Sequence, residues 1–62
     1  MIILTVLDLE VCRVWQYDIH TDNEDMQSED FENILTDQGH NLANCQWMSH
    51  SDGRINEVQI EL

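Results

Sequence analysis

The sequence predicts a small α+β fold, in which a single α-helix packs on one face of an antiparallel sheet of three to four strands. Three observations favour it: alternation over residues 2–20, a helical pattern over residues 28–38, and renewed alternation towards the C-terminal end. The chain of 62 residues forms one domain, 1–62. Because so small a domain buries only about 60% of its unfolded surface, we expect it to gain stability as a homodimer.

The first segment, residues 2–20, alternates with a period of two and is rich in β-branched and aromatic side chains, which is typical of strands. It is about twice as long as a usual strand. It therefore forms either a hairpin that turns near Asp8 and Glu10 or one strand bent by a bulge. No glycine or Asn-Gly pair marks a two-residue turn there, so both alternatives stay open. Residues 1–6 are apolar on both faces, which fits a strand at a dimer interface.

A helix is predicted over residues 29–38, after a polar loop over residues 21–27. Ser28 is the expected N-cap, and Glu29 and Asp30 suit the positive end of the helix dipole. Gly39 suits the C′ position that ends a helix. One face of the helix carries side chains three or four positions apart, which are Phe31, Ile34, Leu35, Gln38 and Leu42. A helix of about ten residues is marginal alone and must pack on the sheet.

Two alternating segments, residues 43–49 and 58–62, predict a C-terminal hairpin. In the second segment Val58, Ile60 and Leu62 alternate with polar residues, which indicates a half-buried strand. The Ser-Asp-Gly-Arg sequence at 51–54 has the composition of a turn. The predicted order is one or two strands, the helix, and two further strands.

Thirteen acidic residues stand against only Arg13 and Arg54, which gives a formal net charge of −11. This charge disfavours direct binding to nucleic acid or to an anionic membrane, because both need basic side chains. It favours a basic partner, including the DNA-binding groove of another protein. Residues 18–37 contain no Lys or Arg, and their acids are Asp18, Asp22, Glu24, Asp25, Glu29, Asp30, Glu32 and Asp37.

No arrangement of residues indicates catalysis or metal binding. Cys12 and Cys45 are far apart in sequence, and the histidines are at least ten residues apart, unlike the close ligand pairs of zinc sites. We expect no enzyme activity, no cofactor and no metal, with two buried thiols and three surface imidazoles. The sequence shows no secretory signal or membrane span, so we expect a cytoplasmic protein with reduced thiols.

Phe31 allows two interpretations. Its helical position and its apolar partners at Ile34 and Leu35 indicate a core residue, which is the interpretation that the sequence alone favours. The alternative places the ring at the edge of an apolar groove, flanked by Asp30 and Glu32. An aromatic anchor within a polar rim is the usual composition of a binding hot spot.

Two short segments, QYDIH at 16–20 and SEDFE at 28–32, resemble the compact, dimeric bacteriophage inhibitors of uracil-DNA glycosylase. The resemblance implies a β-sheet with one helix and a dimer that occupies the DNA-binding groove of the enzyme as a DNA mimic. It also implies an apolar cleft, formed around the helix in the dimer, that receives the leucine which the enzyme inserts into the DNA minor groove. Phe31 would line this cleft and Glu32 would contact the enzyme.

The sequence thus predicts a non-enzymatic homodimeric inhibitor, with uracil-DNA glycosylase as the expected target. The candidate partner-binding residues are Tyr17, Asp22, Glu24, Asp25, Glu29, Asp30, Phe31, Glu32, Ile34 and Leu35. One alternative is an inhibitor of another nucleic-acid enzyme, such as RNA polymerase or a restriction or CRISPR nuclease. The other is an acidic structural or regulatory subunit, in which Phe31 serves only as core.

Overall fold

A computed structural model describes residues 1–22 and 25–62. The elements are β1 (Ile2–Asp8), β2 (Arg13–Ile19), the helix α1 (Ser28–Asp37), a 3₁₀ turn (Leu42–Asn44) and β3 (Cys45–His50). The three strands form an antiparallel sheet in the order β2-β1-β3. This arrangement confirms the predicted α+β class, with three strands and one helix among the described residues.

The N-terminal segment is a hairpin, which decides between the two alternatives left by the sequence. β1 and β2 pair along their whole length, from Ile2 opposite Ile19 to Asp8 opposite Arg13. A carboxylate replaces the missing glycine turn: Asp8 Oδ1 accepts hydrogen bonds from the backbone N–H groups of residues 10 and 11, at 3.0 and 3.3 Å. Cys12 then takes a positive φ of 57° before β2 begins.

The helix lies one residue earlier than predicted, with Gln27 rather than Ser28 at the N-cap. The backbone N–H of Gln27 donates to Asp30 Oδ2 at 2.9 Å, which satisfies a donor in the first turn. Gly39 follows the helix with a φ of 90°, which confirms its predicted C′ role. Leu42 lies beyond the helix in the 3₁₀ turn. Within the described ranges, no helix has the length and apolar character needed to cross a bilayer.

The core lies between the helix and one face of the sheet. Leu4 and Val6 of β1 and Leu35 of the helix are fully buried, and Phe31 is 5% exposed. The ring of Phe31 packs against Trp47 of β3, with 5.6 Å between centroids. The core interpretation of Phe31 is therefore confirmed, because the period of the helix places its apolar side against the alternate residues of the central strand.

The predicted C-terminal hairpin is wrong. β3 pairs with β1, and residues 53–62 form no strand. Val58 and Ile60 are each 77% exposed, and the radius of gyration is 13.0 Å, against about 10.6 Å for a compact chain of this length. Alternation shows that a segment can lie half-buried on a surface, but it does not identify the surface. In this structure Val58, Ile60 and Leu62 lie exposed and not half-buried.

Candidate functional site

Six exposed carboxylates form what we call the acidic surface, which covers the loop before the helix and the helix itself. Its members are Asp22, Asp25, Glu29, Asp30, Glu32 and Asp37. Residues 14–53 contain no Lys or Arg, so no strongly basic side chain lies within this part of the sequence. Glu24, also predicted as a partner-binding residue, lies outside the described residues.

The period of the helix directs the carboxylates of the helix itself away from the sheet. At 100° per residue, Glu29 and Asp37 project roughly opposite to Phe31 and Leu35, which are buried. Asp30 and Glu32 lie at the two flanks and are exposed. The outer side of the helix is thus negative, while its inner side belongs to the core.

The predicted apolar cleft around the helix belongs to a dimer, and within one copy the apolar side chains beside the helix pack into the core. Phe31 and Leu35 are buried, Ile34 packs partly buried against the same core, and Tyr17 is partly buried on the helix side of β2. Within one copy these side chains fill the space between helix and sheet, so Phe31 and Leu35 are not exposed to a partner, while partner binding by Tyr17 and Ile34 stays a prediction. A partner's leucine could reach Phe31 only if the helix moved from the sheet.

The exposed apolar surface lies instead on the opposite face of the sheet, which we call the open face. It contains a groove of about 320 Å³, lined by Thr5, Leu7, Val14, Gln46, Trp47, Met48 and Ile55. Residues 53–55 lie at this face, and the Gln16 side-chain amide donates to the Gly53 carbonyl at 3.4 Å. The acidic surface and the apolar groove therefore lie on opposite sides of the sheet.

A buried polar cluster closes the helix side of the sheet at the end of β1. His40 Nδ1 lies 2.8 Å from Asp8 Oδ2, and its Nε2 lies 2.6 Å from the Tyr17 hydroxyl. Cys45 lies beside Asp8, because the two residues are opposite each other in the β1–β3 register. Asp8, His40 and Cys45 are all buried. We call these four residues the polar cluster.

The environment of the cluster shifts three pKa values. The hydrogen bond from His40 holds the pKa of Asp8 below its usual value, with further help from the two turn N–H groups. Burial raises the pKa of Tyr17, and the nearby Asp8 carboxylate adds to this. Burial also raises the pKa of the Cys45 thiol, and Asp8 again acts in the same direction. At neutral pH the cluster therefore holds an ionised Asp8 beside a protonated thiol and phenol.

The sequence interpretation missed this cluster, because its members are distant along the chain. His40 was expected at the surface and is buried, whereas Cys12 was expected in the interior and is exposed. Both cysteines are free thiols. The one available indication was Gly39: a positive φ directly after a helix turns the chain back, and the next residue is carried onto the end of the sheet.

No protein-family model, curated protein or solved structure matches this chain.

Proposed function

We propose that this protein is a non-enzymatic DNA mimic that binds a basic, DNA-binding groove of another protein through its acidic surface. One observation supports this most strongly: the carboxylates of the helix and its preceding loop are exposed and project away from the core. A surface of one sign accelerates encounter with a surface of the opposite sign and disfavours wrong partners. In this role carboxylates take the place of the phosphates that such a groove normally binds.

Uracil-DNA glycosylase is the target that we propose to test first, because of the resemblance carried by residues 16–20 and 28–32. The proposal assigns the attraction to the acidic surface and gives Phe31 a structural role only. An apolar contact with the enzyme's leucine would need the groove on the open face, which lies on the other side of the sheet from the helix. The proposal therefore includes no apolar contact with that leucine.

A second copy is the occupant that we propose for the open face. Leu7, Val14, Met48 and Ile55 are 45–59% exposed there, and covering them would bury apolar surface. Each copy carries a charge of −11, so self-association must keep the two acidic surfaces apart. Contact through the open faces does this, because each helix then lies on the outside.

The test is a uracil-excision assay with purified glycosylase and this protein, repeated from low to high salt. We expect inhibition that weakens with salt, because charges beyond about 10 Å are screened at 0.1 M. The double variant Glu29→Gln/Asp37→Asn removes two charges from the helix. Its matched control is Glu57→Gln/Glu61→Gln, which removes two charges from the C-terminal segment. We expect the helix variant to associate at least several times more slowly than the control.

Two results would contradict the proposal. Equal effects of the two double variants would show that only total charge matters, and inhibition independent of salt would remove the electrostatic mechanism. Absence of inhibition with glycosylase would exclude this target. It would favour the alternative that the protein inhibits RNA polymerase or a restriction or CRISPR nuclease. If no basic nucleic-acid enzyme is bound, the protein is better described as an acidic regulatory or structural subunit, a role that also fits a buried Phe31.

A further inference from the structure

Three residues of the polar cluster are of the types that bind transition metals. Asp8 ends β1, His40 follows the helix, and Cys45 begins β3. One carboxylate oxygen, one imidazole nitrogen and the thiol sulfur all lie within 4.8 Å of one another, and all three residues are buried. Buried charged and polar side chains that converge in this way are uncommon without a structural or binding role.

The remaining polar atoms of the same residues are held by neighbours. Asp8 Oδ1 accepts from the N–H groups of Glu10 and Val11, which leaves Oδ2 directed at His40. His40 Nε2 is hydrogen-bonded to the Tyr17 hydroxyl, and Nδ1 is directed at Asp8 Oδ2. In metal sites, ligand residues are oriented by such outer hydrogen bonds, and imidazole ligands almost always use their second nitrogen in this way.

We propose that Asp8 Oδ2, His40 Nδ1 and Cys45 Sγ bind a divalent transition metal of the Zn²⁺ class. A mixed oxygen, nitrogen and sulfur set suits zinc, whereas calcium and magnesium take oxygen ligands. Ligand bonds of about 2.0–2.3 Å around a tetrahedral ion place ligand atoms about 3.3–3.6 Å apart. The 2.8 Å between Oδ2 and Nδ1 would widen by about half an ångström, and the longer separations would shorten.

Binding requires two proton movements that the cluster can accommodate. The neutral His40 ring shifts its proton from Nδ1 to Nε2, so that Nδ1 can bind the metal, and the Tyr17 hydroxyl turns from donor to acceptor of the Nε2 hydrogen bond. The thiol proton of Cys45 leaves to solvent, since the thiolate is the ligand form. Three protein ligands leave the fourth tetrahedral position to a water molecule. The ion would then join β1, β3 and the segment after the helix.

The probe is Co²⁺, added to the reduced, full-length protein and followed by absorption. We expect a thiolate-to-cobalt charge-transfer band with the visible bands of a tetrahedral site, both removed by an excess of Zn²⁺. Cys45→Ser should lose the charge-transfer band while circular dichroism shows the fold unchanged. Cys12→Ser is the matched control, since it removes the exposed thiol, and it should keep the band. A wild-type protein without this band, or a band lost with Cys12→Ser, would overturn the proposal.

A second variant tests the orientation of His40 without removing any ligand. Tyr17→Phe deletes only the hydroxyl that contacts Nε2, and we expect Co²⁺ to bind about 10- to 100-fold more weakly with the same spectrum. Zn²⁺ should also raise the melting temperature of the wild-type protein, because it binds the folded chain. Unchanged cobalt affinity in Tyr17→Phe would show that Tyr17 does not orient His40 for the metal, and a melting temperature that does not respond to Zn²⁺ would show that the cluster is a hydrogen-bond network only.

Discussion

The two faces of this sheet are made by the same strands, but one face is buried under the helix and the other is exposed. On the helix side, Leu4 and Val6 are fully buried, and His40 of the polar cluster hydrogen-bonds to Asp8 at the end of β1. On the open face, Leu7 is 45% exposed and Met48 is 59% exposed, although Leu7 lies between the buried Val6 and Asp8 in β1. One helix of ten residues can cover only one side of a sheet. The difference shows that folding within one copy covers one face of the sheet and leaves apolar side chains of the other face exposed.

The largest expected contrast between the faces comes from Phe31→Ala and Met48→Ala. Phe31 is buried against Trp47, so its truncation should cost about 3–5 kcal/mol and leave the protein largely unfolded. Met48→Ala should change the free energy of unfolding by at most about 0.5 kcal/mol at dilutions where the protein is monomeric. Urea unfolding followed by circular dichroism measures both.

The same pair of variants separates the core role of Phe31 from a cleft role. If Phe31→Ala keeps the unfolding midpoint but no longer inhibits the target, the interpretation of Phe31 as a residue of a binding cleft would be supported. If the loss of unfolding free energy in Met48→Ala grows with protein concentration, the open face is covered by a second copy.

A smaller contrast is expected for hydroxyl groups on the two faces. Tyr17→Phe leaves His40 Nε2 without its partner in a buried position, and we expect a cost of about 1–3 kcal/mol. Thr5→Val removes a hydroxyl on the open face that contacts His50 and Gln16, at 3.2 and 3.0 Å. There water can replace the lost partner of the Gln16 amide, so the cost should be about 1 kcal/mol or less. Equal costs would mean that the open face excludes water as well as the helix side does.

The two glycines provide a third contrast. Gly39 has a φ of 90° with open space around a built Cβ, so Gly39→Ala should cost about 1–2 kcal/mol from the backbone alone. At Gly53 a Cβ would clash with the His50 ring, which forces the segment or the ring to move. Because residues 53–62 form no strand, we expect this movement to shift NMR signals of His50 with less change in the melting temperature than Gly39→Ala causes. A larger drop in melting temperature for Gly53→Ala than for Gly39→Ala would show that the contact between Gly53 and the His50 ring stabilises the fold.

The sequence predicted the parts of this structure that depend on local periodicity. Phe31 and Leu35 identified the inner side of the helix, and Gly39 identified its end. The sequence could not decide between a hairpin and a bent strand. The Asp8 side chain stabilises a turn that lacks glycine, and an aspartate alone does not identify a turn. The C-terminal strand was misassigned, because Val58 and Ile60 alternate but are exposed and belong to no strand in one copy. The polar cluster was missed, because its members meet only after β1 has paired with β3.

Deletion of residues 57–62 is the change with the smallest expected effect on one copy and the most informative one for the comparison of faces. Val58, Ile60 and Leu62 are at least 77% exposed, so their loss should change the unfolding free energy of the monomer by no more than about 0.5 kcal/mol. The outer edge of β3 has no partner strand within residues 1–22 and 25–62, and an alternating segment can pair with such an edge in a second copy. If the segment does so, sedimentation should show a dimer for the full chain and a monomer for the shortened one. A shortened chain as dimeric as the full one would place the interface on the open face alone, and a large loss of monomer stability would show that the segment packs on its own sheet.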